Sequence, residues 1–241
     1  MENHKLIIAN WKMNGSVNTV LNLLKPLNQF CNMDYSNEII ICPPYTLIQE
    51  AKNFSNSKIS LGAQNCSDHT DGAFTGEISA KMLAELGCKY VIIGHSERRK
   101  YYNETSKIIN SKILLAHSAG LKVILCIGED QETRNKGNYL DSIYKQLNSD
   151  LNIEHDPNNV ILAYEPLWSI GTGNAASIEQ IEEIHFNLSE RFENKYKIVY
   201  GGSVNGSNAH DILAINSVAG VLVGAASLNF DEFKKIIDYK N

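Results

Sequence analysis

The chain has 241 residues, 43% of them hydrophobic and 20% charged, with a formal net charge of −5. That balance belongs to a folded globular protein with a sizeable core. With no basic stripe it speaks against a nucleic-acid partner, and the longest apolar run, Val218 to Ala226, is glycine-interrupted and too short to cross a bilayer. Cys31, Cys42, Cys66, Cys88 and Cys126 are scattered and never form a CxxC pair. This predicts reduced thiols in a cytoplasmic setting and no metal framework. Met1 to Lys5 leads straight into an apolar run, which predicts no signal peptide.

Apolar runs and helical spacings alternate along the chain. Leu6 to Ala9 is followed by a helix over Val17 to Phe30, and Glu38 to Cys42 by one over Tyr45 to Phe54. Ile59 to Ala63 leads into a long polar loop and a helix over Ala80 to Leu86. Tyr90 to Gly94 precedes a helix over Glu104 to Ala119, which Gly120 stops. Lys122 to Ile127 precedes Asn138 to Leu151. Val160 to Tyr164 precedes a helix that starts at Ser177, with Gln180 placed to complete a capping box and Ile178, Ile181, Ile184, Leu188 and Phe192 forming one apolar stripe. Lys197 to Tyr200 and Gly220 to Val223 are the last two runs, with helices over Ala209 to Ile215 and Phe230 to Asp238.

These are eight strand–helix units, each about the 30 residues of a βαβ block, and no linker divides them. The strands are continuously apolar, as parallel strands covered on both faces should be. The expectation is α/β: a single (β/α)8 barrel domain over residues 1–241, with a doubly wound open sheet as the alternative. In both, the active site lies at the carboxyl ends of the strands.

Those ends carry the chemistry. Glu165 follows the sixth strand directly, before Pro166 halts the ladder and a loop with Gly171 and Gly173 begins. A carboxylate there is either a surface acid or a base beneath a lid. After the first strand, alternation predicts that Asn10 and Lys12 point the same way and Trp11 the other. Alone, Lys12 could equally snorkel into water. After the fourth strand, His95 opens a helical turn with Glu97, where the positive helix end favours a neutral ring. Gly201-Gly202-Ser203 and Gly224-Ala225 follow the seventh and eighth strands, the usual phosphate-binding positions of barrels. Gly171-Thr172-Gly173-Asn174-Ala175-Ala176 fits a dinucleotide pattern, but Pro166 to Ile170 separate it from its strand. Glu154-His155-Asp156 and His210-Asp211 lack metal-site spacing and are read as solvated loop and cap residues.

Together, Asn10 to Gly15, Gly72 to Glu77, Gly94 to Arg99, Ala163 to Gly173 and Tyr200 to Ser203 resemble the triosephosphate isomerase family, in order and from the first strand to the last. That family is itself the type case of a glutamate base facing a neutral histidine. The resemblance implies interconversion of dihydroxyacetone phosphate and glyceraldehyde 3-phosphate without metal or organic cofactor. It implies Glu165 as base, neutral His95 as electrophile, Lys12 and Asn10 as oxyanion stabilisers, and Glu97 as an orienting group. Gly171, Ser203, Gly224 and Ala225 would bind the phosphate. The Gln64–Ser79 loop would carry Phe74 and Thr75 into a second subunit of a homodimer. A phosphosugar-binding barrel with a mainly non-catalytic role is the alternative. Three departures stand out: Ala225 where a second glycine is usual, Asn103 for a glycine, and Ser169 for an alanine in the lid. If Ala225 needed a positive φ, its Cβ would cost about 1–2 kcal/mol.

Overall fold

A computed structural model describes residues 4–31, 36–151, 155–169 and 175–240. Among them, eight parallel strands close into a barrel in sequence order: β1 (Leu6–Asn10), β2 (Glu38–Cys42), β3 (Ile59–Ala63), β4 (Tyr90–Ile93), β5 (Lys122–Ile127), β6 (Val160–Tyr164), β7 (Lys197–Tyr200) and β8 (Gly220–Val223). The ring is closed by β8 against β1, with Leu6 opposite Gly220 and Ala9 opposite Val223. The open-sheet alternative is thereby excluded. The helices are α1 (Val17–Cys31), α2 (Tyr45–Lys52), α3 (Ala80–Glu85), α4 (Ser96–Tyr102), α5 (Ser106–Ser118), α6 (Gln131–Asn135), α7 (Tyr139–Asp150), α8 (Ile178–Arg191), α9 (Ala209–Ala214) and α10 (Phe230–Ile237).

The unbroken apolar strands have a direct explanation. Alternate side chains of one strand enter two different cores. Leu6, Ile8, Ile40, Ile92, Ile124 and Leu222 fill the barrel, while Ile7, Ala9, Ile39, Val91 and Val123 face the helix ring. Removing one such side chain, as in Ile8→Ala, costs about 2–5 kcal/mol through lost transfer energy and a cavity. The helix ring is fastened by α8, whose capping box between Ser177 and Gln180 is present and whose buried stripe is Ile181, Ile184, His185 and Leu188.

Two segments differ from the sequence expectation. The helix expected over Glu104 to Ala119 begins only at Ser106, capped by the Thr105 hydroxyl, and a separate α4 precedes it. Asn103 ends α4 in the left-handed conformation at φ 52°, which Asn tolerates better than most residues. Glu104 is instead a buried carboxylate that receives the Gly94 N–H at 3.1 Å, Arg98 Nε at 3.2 Å and the ammonium of Lys112. A partnered buried acid takes precedence over helix spacing. The short α6, held by an Asp130 cap on Thr133, has too few residues to show a period.

Candidate active site

Each chemistry-bearing side chain is delivered by the end of a strand. On β6 the chain leaves the barrel at Glu165, whose N–H donates to Ile127 O at 2.7 Å, so the backbone at this point is still tied to β5. The side chain is 2% exposed. Its Oε2 accepts the Ser96 N–H at 3.2 Å, and its Oε1 lies 3.1 Å from His95 Nε2. Burial pushes the carboxyl pKa up, but the His95 ring, the Ser96 N–H and Lys12 outweigh it, and Glu165 stands below the ordinary carboxylate value. The chain is tightly drawn here. A Cβ on Gly128 would lie 1.8 Å from the Glu165 carbonyl oxygen, so only glycine permits β5 to pass that close.

His95 caps α4 in an uncommon way. Its Nδ1 accepts the Glu97 N–H at 3.2 Å, which leaves Nε2 to carry the proton that faces Glu165. Burial lowers the ring's pKa, yet the adjacent Glu165 carboxylate, its hydrogen bond and Glu97 together raise it above the ordinary value. The neutral ring expected from helix polarity is therefore favoured by burial, by Lys12 and by the bond at Nδ1, and opposed by the Glu165 and Glu97 carboxylates. Gly94 sets the turn before it with φ +71°, a conformation that favours glycine.

Lys12 reaches the same place by a different route than strand alternation implies. The strand ends at Asn10, and Lys12 sits at φ 52° in the left-handed region. Such a conformation costs about 1–3 kcal/mol and persists only when neighbours over-determine it. Here Asn10 Oδ1 accepts the Lys12 N–H at 3.0 Å, and Gln64 Nε2 donates to the Lys12 carbonyl at 2.9 Å. The ammonium is thereby aimed at Glu97 Oε1, 2.7 Å away.

A cavity of about 380 Å³ is lined by Asn10, Lys12, His95 and Glu165 on one side and Ser203, Gly224 and Ala225 on the other. The two small-residue turns thus meet the ionisable groups. Gly224 abuts Lys12, whose Cε would lie 3.8 Å from a Cβ there. Ala225 begins a 3-10 turn, Ala225–Leu228, and is not among the residues of positive φ, so the feared strain does not arise. Ser203 Oγ donates to the Ser169 carbonyl at 2.7 Å, which ties the segment after β6 to the β7 turn. Ser169 itself is buried, and its side chain meets Tyr200. Gly171 and the rest of the glycine pattern through Asn174 lie outside the described residues, as does Glu154.

Glu97 borders the neighbouring cavities rather than this one. Phe74 is 42% exposed and stacked on His69, with ring centroids 3.7 Å apart; Thr75 is exposed beside it. His155 bonds to the Tyr196 hydroxyl at 2.8 Å and His210 to the Lys235 carbonyl at 2.8 Å. Sequence reading missed Ser96, whose contribution is a backbone N–H, and Gln64. It also missed Glu129, a buried carboxylate whose Oε1 accepts the Tyr164 hydroxyl and the Trp168 indole N–H, both at 3.0 Å. Its two partners flank Glu165, and no local spacing announces that.

A closed eight-stranded barrel with a carboxylate, an imidazole and an ammonium converging on one cavity at its carboxyl-terminal mouth is a (β/α)8 protein of the class that carries its chemistry at that end. Comparison with known proteins makes this specific. The triosephosphate isomerase family model matches residues 5–240, and the chain belongs to that family. It is 41% identical to the triosephosphate isomerase of Aquifex aeolicus, over 97% of this chain and 98% of that one. It is 44% identical to that of Baumannia cicadellinicola, over 97% and 96%. The crystal structure of triosephosphate isomerase from Bartonella henselae superposes with a TM-score of 0.87 at 35% identity, covering 98% of both chains.

Proposed function

We propose that this chain performs the isomerisation for which its family is named, moving a proton between adjacent carbons of a triose phosphate, with Glu165 as the base. The observation that carries this reading is the facing pair: Glu165 Oε1 and His95 Nε2, 3.1 Å apart, both buried, in a cavity shared with Lys12 and two glycine turns. A carboxylate in such a pocket is a competent base only if it can let go of its resting partners. Both Glu165 oxygens are engaged here, so taking a carbon-bound proton requires release of the Ser96 N–H or of His95.

That release also decides the state of His95. The Glu165 charge is what lifts the imidazole pKa most. When the carboxylate turns to substrate carbon, that influence goes, and the Glu97 N–H at Nδ1 holds the ring as the neutral Nε2–H form. This N–H polarises the carbonyl, passes its proton to that oxygen and takes back the proton of the neighbouring hydroxyl, which becomes the new carbonyl while the ring is restored. The proton on Glu165 returns to the neighbouring carbon, so the reaction is redox-neutral and needs no external oxidant. Lys12, with Asn10, offsets the oxyanion and the phosphate charge, while Glu97 keeps the ammonium in place. Ser203, Gly224 and Ala225 form the phosphate side, to which the family resemblance adds Gly171.

A homodimer completes the reading. Met13 is 96% exposed, and it borders a second cavity with Tyr45, Gln64, Arg98 and Tyr102 that also reaches Lys12, His95 and Glu97. The Phe74–Thr75 tip of a second copy fits that opening, which would bring it against the catalytic side chains. Free, buried thiols at all five cysteines suit a reducing cytoplasm, and no described helix is long and apolar enough to cross a membrane. The test is a coupled assay of glyceraldehyde 3-phosphate turnover in the presence of a chelator. Turnover is expected, and its absence from folded protein removes the proposal. Phe74→Asp is expected to shift sedimentation toward monomer, and an unchanged dimer would remove the loop-insertion reading.

A further inference from the structure

Glu129 is 2% exposed, yet it is the point where the chain on both sides of the base is held. Its side chain takes Tyr164 and Trp168, and its carbonyl accepts the Leu167 N–H at 3.0 Å. A buried carboxylate needs a cation nearby to remain charged, and the one beside it is Arg134, with Nη1 3.6 Å from Glu129 Oε1. Arg134 comes from the five-residue α6, and its largely buried guanidinium lies 5.8 Å from the centroid of the Trp168 ring. Two residues from other helices fix its orientation further. The Tyr139 ring lies under the guanidinium, 3.9 Å from Cζ to the ring centroid. Glu183 then uses its two oxygens separately, accepting the Tyr139 hydroxyl at 2.6 Å and Arg134 Nη2 at 3.4 Å. Ring and guanidinium are thereby fixed against each other, as a planar fork permits and an ammonium would not.

We propose that Arg134, clamped by Tyr139 and Glu183, is a positioning residue for the base, holding the Glu129 carboxylate that fixes the chain on both sides of Glu165. The inference rests on Glu165 being the base, which is tested separately by Glu165→Gln. The groups facing Glu129 are Arg134 from α6, Tyr139 from α7, Tyr164 from β6, Trp168 from the segment after it and Tyr200 from β7. Arg134 is the cation among them. Burial already pushes the Glu129 carboxyl above its ordinary value, so loss of the guanidinium would let it protonate at still higher pH.

The test compares kcat, KM and the acid limb of the kcat–pH profile in Arg134→Ala, Arg134→Lys, Tyr139→Phe and the double variant Arg134→Ala/Tyr139→Phe, with thermal melts to establish folding. Misplacing a base by a fraction of an ångström costs about tenfold or more in kcat, and this is the loss expected of Arg134→Ala, with KM little changed and the acid limb moved to higher pH. Arg134→Lys is expected to restore the acid limb but only part of kcat. Tyr139→Phe keeps the ring and loses the bond to Glu183, so a smaller kcat loss is expected, and it should vanish in the Arg134→Ala background because Tyr139 acts through Arg134. Should Arg134→Ala fail to fold, Arg134→Lys and Tyr139→Phe still decide the matter. Wild-type kcat in the folded variants, an unmoved acid limb, or additive losses would each overturn the proposal. If Glu165→Gln retained turnover, the base assignment would fail instead, whatever Arg134 does.

Discussion

The two rims of the barrel are built from the same eight strands, and they differ in how the polar groups nearest the barrel axis are held. At the amino-terminal rim, Lys5 is buried with its ammonium bonded to the Val218 carbonyl at 2.6 Å. Glu38 takes the hydroxyls of Ser60 at 3.1 Å and Tyr90 at 2.9 Å. These are closed arrangements, with partners that have nowhere else to go. At the carboxyl-terminal rim, the Glu165 carboxylate is held by an imidazole and one N–H beside an open cavity, and the ammonium of Lys12 rides on a left-handed backbone. Polar burial locks the fold at one end, and Glu104 and Glu129 do the same at the other, so the contrast is with the Glu165–His95 pair alone, which lies beside an open cavity. Catalytic and structural costs should therefore separate between that pair and the closed arrangements.

The sharpest break of this contrast is Glu165→Gln. A positioned general base contributes about 10²–10⁴-fold, and a loss near the upper end is expected with a melting temperature close to wild type. Near-normal turnover would make the carboxyl-terminal rim as structural as the other. Lys12→Met comes next. Removing one charge-stabilising group from such a site costs about 10²–10³-fold, and a rise in KM is expected on the proposal that the same ammonium offsets the phosphate charge. If kcat fell while KM for the phosphorylated substrate held, Lys12 would serve the oxyanion alone.

How much of this contrast was legible in the sequence follows from the reach of each interaction. The eight units, the barrel and the placement of Asn10, Lys12, His95 and Glu165 at strand ends could be read, because hydrophobic period and chain order are local. So could the left-handed tolerance of Asn103. The route of Lys12 could not, since its backbone is held by Gln64, 52 residues away. Nor could the late start of α5, which depends on Glu104 meeting Arg98 and Lys112 across a turn. Glu129 looks like any loop acid until Tyr164 and Trp168, 35 and 39 residues on, arrive at the same oxygen. Ser96 works through its backbone, which no side-chain motif encodes.

At the amino-terminal rim the expectation reverses. Lys5→Met removes the donor and leaves the Val218 carbonyl without it, a penalty of about 1–3 kcal/mol for an unsatisfied buried group. Denaturant unfolding should record that loss while kcat and KM stay at wild-type values. A fall in kcat would mean that the two rims are mechanically coupled.

The smallest expected effect is in the pH dependence of stability, and it distinguishes a held pair from a closed one. In the substrate-free pocket the Glu165 carboxyl lies below its ordinary value and the His95 ring above its own. A lowered carboxyl stabilises the fold above its unfolded pKa and loses that contribution as pH falls through the folded value. A raised imidazole stabilises it below its unfolded pKa and loses that contribution as pH rises through the folded value. Both contributions are complete only between about pH 4.5 and 6.5. Glu165→Gln abolishes both at once, so the melting-temperature difference from wild type should be most favourable to wild type in that window and decline above it. A charged ring would have to release the Glu97 N–H at Nδ1, because a protonated nitrogen cannot accept it. A flat difference across the range would mean that His95 stays neutral beside Glu165 even without substrate, with the Glu97 N–H at Nδ1 dominating the carboxylate.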